Sequence, residues 1–294
     1  MNIARCRTEA RAFLQKLLDD PPRLPYEPTL MPLLFAATRE NSTASVPRLT
    51  ALIERSQKLA ARVLSVANSA CYALESRVTS INRAVVLLGF NEVRSLVIMV
   101  GATAALKGAK LPQNFDTMEM WRHHLLTAAY AKTLTSTLLR GGFTLGVEPD
   151  EIYVAGLLHD IGKAFLAGRN PKVWNIVSEA VHNGADWATA ENDYWGIEHA
   201  LIGAQVLNAW KLPLLLTDLI SWHHSPKMAP TFTVEAGILA AANLLAHQGL
   251  DDDGGLPESV RSVLLEGADF TTLADACAAT PDHAKLNALA GAQA

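Results

Sequence analysis

A histidine and an aspartate stand side by side, His159 and Asp160, in a segment that is otherwise apolar. The flanking residues Leu157, Leu158 and Ile161 predict that the pair is buried. A buried carboxylate beside a buried imidazole is costly unless both groups are paired or bind a metal ion. This pair is therefore the first candidate for a site with metal chemistry.

Four further histidines lie on segments that a helical fold could bring to the same place, and they are His123, His199, His223 and His224. Imidazole is a ligand for Fe, Mn, Ni and Zn, and a carboxylate such as Asp160 can bridge two ions. Together with His159 these residues predict a divalent transition-metal site, mono- or dinuclear, because metal stabilises neutral imidazole and ionised carboxylate at once. A degenerate core, in which the same side chains only hydrogen-bond to one another, is the alternative.

Lys163 lies one helical turn beyond His159 if the helix continues that far, and the two residues would then share a face. Its ammonium group would suit a phosphate oxygen. The alternative is a solvated lysine at a helix end, where a cation offsets the helix dipole.

The chemistry of an active site of this kind can be stated. Metal ions would lower the pKa of a bound water towards neutrality and would neutralise charge on phosphoryl oxygens. In the catalytic roles, Asp160 would bridge or orient that water and Lys163 would hold the substrate phosphate. The predicted reaction is hydrolysis of a phosphoester, and the sequence does not select the substrate.

The elements that must position these residues are helices. Half of the 294 residues are hydrophobic, and strong helix formers, mostly Ala and Leu, fill the segments between turn signals. An all-α protein is therefore predicted. The helices expected to carry or flank the site cover residues 118–139, a segment from 148 through His159 and Asp160, and residues 173–183, 194–210, 214–224 and 234–248.

The first half is predicted to contain helices over residues 31–38, 46–54, 58–67, 81–88 and 92–106. Gly89 is expected to separate the helices over 81–88 and 92–106. Asn68 is expected to end the helix over 58–67, because its side chain can bond nearby backbone groups. Arg94 is interpreted as a solvated or ion-paired helix residue, with partner contact as the alternative. After Gly249, short helices are expected over 258–266 and 271–278, and residues 281–294 are expected to fray.

Charge and cysteine content exclude several classes of protein. The net charge of −4 gives no basic footprint for phosphate-backbone binding, so nucleic acid is not an expected partner. The three cysteines are scattered, which argues against a disulfide framework and a thiolate zinc site and favours a cytoplasmic protein. Charged residues near the start argue against a signal peptide. Glycine and charged residues interrupt the apolar region 87–106, so no membrane span is predicted.

Several motifs resemble, in order and spacing, the bacterial HDOD family, over roughly residues 24–245. They are Leu24-Pro25, Leu52-Ile53-Glu54, the segments 61–70, 80–85 and 88–96, Trp121-Arg122-His123-His124, and the segment around His159-Asp160. One departure is Ser56-Gln57, which occupies the place where the family usually has Asp-Pro.

The resemblance implies a core like that of the HD superfamily, in which a first-helix histidine, the His-Asp pair, later histidines and a final aspartate hold the metals. It places His123 at the site, and His124, one step round the helix, is then expected to be structural. Asn243 stands where the final aspartate belongs, and a neutral amide is a weaker ligand. The remaining histidines, His182, His247 and His283, are expected to be exposed.

The implied organisation is two packed helical subdomains, the second an HD-type bundle. The expected boundaries are an N-terminal helix over 1–23, an N-terminal half over 24–110, an HD-like half over 111–250 and a C-terminal helical extension over 251–294. The related HD-GYP subgroup cleaves cyclic dinucleotides. Its Gly-Tyr-Pro signature after the paired histidines is missing here, where Ser225-Pro226-Lys227 stands instead.

Two functions are therefore predicted, in this order of preference. The first is a bacterial signal-transduction module that recruits protein partners and retains a metal site, favoured by Asn243 and the missing signature. The second is a metal-dependent phosphohydrolase acting on a phosphorylated small molecule such as a nucleotide or cyclic dinucleotide, favoured by the survival of so many histidines.

Overall fold

The structure, a computed structural model, describes residues 3–20, 22, 30–38, 43–72, 77–106, 109–280 and 283–291. All regular structure in these ranges is helical, which confirms the all-α prediction. The helices are α1 (Ile3–Asp19), α2 (Leu30–Ala37), α3 (Val46–Glu54), α4 (Gln57–Ala67), α5 (Ile81–Ala105), α6 (Thr117–Arg140), α7 (Pro149–Leu158), α8 (Ile161–Arg169), α9 (Pro171–His182), α10 (Trp187–Tyr194), α11 (His199–Ala209), α12 (Leu214–Trp222), α13 (Thr233–Gln248), α14 (Glu258–Arg261), α15 (Phe270–Ala278) and α16 (His283–Gly291).

Helices α2 to α5 form the first half, and the predicted break at Gly89 and the predicted helix end at Asn68 are confirmed there. Gly89 has φ 80° and kinks α5 at the predicted break, because a left-handed backbone suits glycine. The Asn68 side chain ends α4 by donating to the carbonyls of Leu64 and Val78, both at 2.8 Å, and accepting from the Val78 amide at 2.7 Å. Ser56 caps the start of α4 by accepting from the Leu59 amide.

Helices α6 to α13 form the second half, in which α6 packs along α7 and α13, and α8 packs along α11 and α9. Gly156 explains how α6 and α7 approach so closely. A Cβ atom at this position would lie 2.5 Å from the Cα atom of Ala128, so only glycine fits. The buried apolar side chains of the two halves join in one hydrophobic core.

Two predicted helices are wrong at the candidate site, and elsewhere α14 is shorter than the helix predicted over 258–266. The chain does not continue as one helix through His159 and Asp160, since α7 ends at Leu158 and α8 begins at Ile161. The helix predicted over 194–210 is also broken. Gly196 has φ 86° between α10 and α11, and α11 begins only at His199.

The C-terminal segment corrects a third expectation. Residues 283–291 form α16, which packs against α6 with Leu289 and Ala290 buried, where fraying was expected. The Leu24-Pro25 motif and residues 107–108, shortly before the expected boundary at residue 110, lie outside the described residues. The proposed division into four segments stays a prediction.

One helix in the described part of the chain, α5, is long and apolar enough to cross a membrane by length and composition alone. Of its most apolar window, 61% is buried inside the structure. Core packing therefore accounts for the apolar composition of this helix.

A buried ion pair joins the two halves. The guanidinium of Arg94 on α5 lies 3.4 Å from the Asp150 carboxylate at the start of α7, and the two residues are 3% and 2% exposed. Arg94 also donates to the Asp150 carbonyl and to the Thr38 hydroxyl. Lys132 on α6 lies 2.7 Å from the other Asp150 oxygen. The interpretation of Arg94 as an ion-paired residue is confirmed.

We expect Arg94→Met to lower the free energy of unfolding by about 3 kcal/mol, because it removes one partner of a buried pair. The matched control is Arg261→Met, which breaks the exposed pair with Glu258 and should cost less than about 1 kcal/mol. Urea denaturation of both variants measures the difference. Equal losses would contradict a role for Arg94 in holding the halves together.

Candidate metal centre

The structure brings the six predicted metal ligands together from four places in the chain. His123 comes from α6, the pair His159 and Asp160 from the junction of α7 and α8, and His199 from the start of α11. His223 and His224 follow α12. Their ligand atoms form two groups in which all atoms lie within 4.8 Å of one another, and Asp160 belongs to both groups. Their role as metal ligands stays a prediction.

We call these groups the far-side group and the pocket-side group. The far-side group consists of Asp160, His199, His223 and His224. The pocket-side group consists of His123, His159 and Asp160, and it borders a pocket of about 470 Å³.

The break between α7 and α8 explains why His159 and Asp160 can both reach the centre. Neighbouring residues of a continuous helix point about 100° apart, so only one of them would face a given point. Asp160 has φ −103° and ψ 10°, which ends the helical path. A turn at Asp160 therefore brings both side chains to the centre.

Hydrogen bonds at Nδ1 fix the tautomers of two rings. His159 Nδ1 donates to the Gly156 carbonyl at 2.8 Å, and His223 Nδ1 donates to the Ile220 carbonyl at 2.7 Å. A carbonyl oxygen only accepts, so both rings carry a proton on Nδ1 and present Nε2 to Asp160. This is the usual orientation of metal-ligating histidines.

Glu191 plays the same part for His199. Its buried carboxylate accepts from the His199 ring at Nδ1 and from the His199 backbone amide, both at 2.7 Å. Burial alone would lower the pKa of His199, but Glu191 and Asp160 raise the pKa to about 9. This favours a proton on Nε2, which metal binding would displace.

Sequence reasoning missed Glu191. The triplet Glu191-Asn192-Asp193 has the composition of an exposed turn, and nothing in the sequence distinguishes its first carboxylate. In the structure Glu191 is 0% exposed.

The distances within the two groups fit a metal ion. Two ligand atoms that bind one ion at about 2.0 to 2.1 Å lie about 2.9 to 3.4 Å apart in tetrahedral or octahedral geometry. His199 Nε2 and His224 Nε2 are 3.0 Å apart, and His123 Nε2 and His159 Nε2 are 3.2 Å apart.

His223 gives the clearest sign that the donor set suits a cation. Its Nε2 atom is buried, lies 3.5 Å from Asp160 Oδ1 and has no hydrogen-bond partner in the described part of the chain. A buried acceptor aimed at another acceptor calls for an explanation, and a cation between them supplies it. The donor set therefore fits a site for a divalent transition metal with nitrogen and oxygen ligands.

The pKa shifts keep the ligands in their metal-binding forms. Burial lowers the pKa of His223 to about 4, and it also lowers the pKa values of His123 and His224 well below the ordinary value. Burial alone would raise the pKa of Asp160, but its contacts with His159, Lys163 and His199 hold it well below the ordinary value. At neutral pH these three rings are neutral and the carboxylate is ionised.

Lys163 is buried, so the interpretation of a solvated lysine is wrong. Its residue is 8% exposed, and its ammonium group lies 2.6 Å from Asp160 Oδ2. The same group sits over the ring of Trp187, 4.6 Å from the centroid. Because α8 begins at Ile161, Lys163 pairs with Asp160 within the first turn of α8. The predicted phosphate contact of Lys163 stays a prediction.

The other histidines whose side chains the structure describes belong to neither ligand group. His124 is fully buried, packs edge-on against Trp121 and belongs to neither group of ligand atoms, as expected of a structural residue. His182 and His247 are exposed as predicted. However, the His247 ring stacks on His123 with centroids 4.2 Å apart, so it lies at the mouth of the pocket.

Asn243 lies one helical turn before His247 on α13 and is 7% exposed. Its Oδ1 atom has no hydrogen-bond partner among the described residues. Asn243, which the resemblance is expected to place where the family has its final aspartate, is thus a buried amide without charge.

The HDOD domain matches residues 24–226 of the chain. The chain belongs to the HDOD family. The resemblance read from the sequence is therefore confirmed, and the match ends before residue 245, where the resemblance was expected to end.

Solved structures share the fold of this HDOD chain. A protein from Shewanella amazonensis SB2B named "Putative phosphohydrolase" is 28% identical, with a TM-score of 0.72, covering 96% of this chain and 98% of that one. A "Putative signal transduction protein" from Marinobacter aquaeolei VT8 is 26% identical, with a TM-score of 0.73, covering 100% of this chain and 69% of that one.

An uncharacterised protein from Treponema pallidum (strain Nichols) is 25% identical over 224 residues, which is 76% of this chain. The match covers only 41% of that relative's length.

Gly162 controls the position of His199. A Cβ atom at Gly162 would lie 1.9 Å from the His199 carbonyl oxygen, so α8 can approach the start of α11 only with glycine there. We expect Gly162→Ala to cost about 1 to 3 kcal/mol of stability through overpacking and to weaken metal binding by displacing His199.

The matched control for Gly162→Ala is Gly203→Ala across the same interface. The nearest atoms to a Cβ there are 3.4 Å away, which is ordinary contact. Its stability should change by less than about 1 kcal/mol, because alanine also favours the helix. Thermal unfolding and metal titration compare the two variants, and equal effects would exclude close packing at Gly162 as the cause.

The chelator-treated protein should lose stability as the pH falls. Burial lowers the pKa of His124 to about 3 and that of His223 to about 4, from the ordinary 6.5. Below pH 6.5 the unfolded state therefore takes up protons that the folded state does not, until the pH reaches the folded values. His199 acts in the opposite sense, but its contribution is already complete below 6.5 and is lost only as the pH rises through about 9.

Urea denaturation at about pH 7 and about pH 5 should show a decrease to which these two residues contribute on the order of 4 kcal/mol and to which His123 and His224 add. His124→Phe should reduce the decrease by about 2 kcal/mol, whereas the exposed His182→Ala should leave it unchanged. A pH-independent stability would show that the two rings are not held neutral by burial.

Proposed function

We propose that this HDOD chain is a regulatory module of bacterial signal transduction whose HD-type centre binds a divalent transition metal. The observation that carries the proposal is the convergence of imidazole Nε2 atoms on one buried carboxylate. His223 Nε2 at 3.5 Å and His199 Nε2 at 2.8 Å both face Asp160 Oδ1. A buried carboxylate surrounded by ring nitrogens is stabilised when a cation binds to them together.

Two observations favour a regulatory module over an enzyme. Asn243 contributes no charge where the superfamily has an aspartate. Lys163 already occupies Asp160 Oδ2 on the side that borders the pocket. The name of the Marinobacter relative, a signal transduction protein, supports the same choice. We further propose that the module acts in the cytoplasm through protein partners.

The second candidate function is a metal-dependent phosphohydrolase. The pocket of about 470 Å³ beside His123, Asp160 and Lys163 favours it, because a phosphoester could reach the pocket-side group. The name of the Shewanella relative supports this candidate.

In a phosphohydrolase, a bound ion would supply Lewis-acid chemistry, activating water and neutralising phosphoryl charge. Asp160 would orient the attacking water. Lys163 would bind a phosphate oxygen of a phosphorylated small molecule such as a nucleotide or cyclic dinucleotide.

Elemental analysis of protein purified without added metal tests the proposal. We expect near-stoichiometric transition metal in the wild type and its loss in Asp160→Ala, because the shared ligand of both groups is removed. Asp252→Ala, the same substitution at an exposed carboxylate, should retain the metal. Metal-free wild-type protein would refute the metal site.

The same samples decide between the two candidates. The metal-bound wild type is incubated with a generic phosphoester such as p-nitrophenyl phosphate. No hydrolysis above the Asp160→Ala background is expected of a regulatory module. Metal-dependent hydrolysis would reverse our preference in favour of the enzyme.

A further inference from the structure

The two oxygens of the Asp160 carboxylate have different surroundings. Oδ1 faces the far-side group, with His199 Nε2 at 2.8 Å and His223 Nε2 at 3.5 Å. Oδ2 faces the pocket-side group, with His159 Nε2 at 3.4 Å and His123 Nε2 at 3.7 Å. A dinuclear centre would need one ion at each oxygen.

A lysine ammonium contacts one of these oxygens and a histidine ring contacts the other. The Lys163 ammonium lies 2.6 Å from Oδ2, the distance of a strong charge-assisted hydrogen bond. The Trp187 ring lies beneath the ammonium, and a cation over an indole face is attracted to it. Oδ1 lies 2.8 Å from His199 Nε2, whose proton a metal ion would displace.

We propose that the Lys163 ammonium takes the place of a second metal ion, so that the centre holds one divalent ion, in the far-side group. The inference rests on the proposed metal site and specifies its occupancy. His199, His223, His224 and Asp160 Oδ1 would bind the ion, and the pocket-side group would remain closed to metal by the lysine.

The charges around the centre support this occupancy. The carboxylates that contact the ligand rings in the described part of the chain are Asp160 and Glu191, both buried. One divalent ion and the ammonium set three positive charges against these two negative ones. A second ion would raise the positive charge to five, and Asn243 supplies no carboxylate to offset it. Uncompensated charge in a buried site is strongly unfavourable.

The occupancy also explains why the pocket-side group keeps its histidines without an ion. His159 Nε2 and His123 Nε2 lie 3.2 Å apart, within hydrogen-bonding reach, so the two rings can satisfy each other. The far-side group has no such arrangement for His223, whose Nε2 stays unpaired among the described residues. The ion is needed on that side.

Counting bound Mn²⁺ in wild type and Lys163→Met tests the inference. Methionine has a similar length and no charge, so removal of the ammonium frees Asp160 Oδ2 for an ion. After equilibration with Mn²⁺, the wild type should hold about one ion per chain and Lys163→Met about two. The electron paramagnetic resonance spectrum should change from that of an isolated ion to that of an exchange-coupled pair.

The matched control is Lys132→Met. Lys132 also pairs with a buried carboxylate at 2.7 Å, that of Asp150, outside both ligand groups. Its Mn²⁺ content should equal that of the wild type. The thermal unfolding midpoint supplies a second readout, since Mn²⁺ should raise it more in Lys163→Met than in wild type or Lys132→Met.

About two ions in the wild type would overturn the inference, whether or not the variants fold. A folded Lys163→Met protein that still holds about one ion would overturn it as well. Both results leave the proposed metal site standing. A wild type that binds no Mn²⁺ would instead refute the metal site itself, so the two failures are distinguishable. Lys163→Ala replaces Lys163→Met if the methionine variant does not fold.

Discussion

The ionised carboxylate of Asp160, buried at the meeting point of five helices, is the constraint on which the structure of the second half depends. A charge at this depth is tolerated only with compensation from every side. Lys163 supplies one positive charge at Oδ2, and His199 lies close to Oδ1 with its own carboxylate partner, Glu191, behind it. The helix break at His159 and Asp160 is needed to bring both side chains to the centre, because a continuous helix would turn one of them away from it.

The glycines of this region allow the close helix packing that positions the ligand side chains. Gly156 lets α7 lie against Ala128 of α6, and Gly162 lets α8 lie against the start of α11. These contacts set the distances between His123, His159 and His199 before any ion is considered. The preorganisation of the ligands is therefore a property of the backbone, which lowers the cost of assembling a metal site.

The sequence was sufficient to predict the fold class, the family and the convergence of six residues, because helix formers, ordered motifs and the histidines are all visible in it. It did not predict where helices stop within apolar segments. The break at Asp160 depends on tertiary contacts, which override local helix propensity. The break before His199 falls at Gly196, whose left-handed backbone is a local signal that the sequence reading did not use. Glu191 and the position of His247 were missed for a related reason, since the role of a side chain on an exposed-looking helix depends on which neighbour it meets. The solvated interpretation of Lys163 failed because burial of a charge cannot be read from its own helix.

Helix α7 carries Asp150 at its beginning and delivers His159 at its end. With a rise of about 1.5 Å per residue, it spans about 15 Å between the Asp150 contact of the two halves and the histidine cluster. Asp150 anchors one end to Arg94, and the other end holds the ring that faces Asp160. The contact between Arg94 and Asp150 therefore helps to fix where the His159 ring lies relative to Asp160.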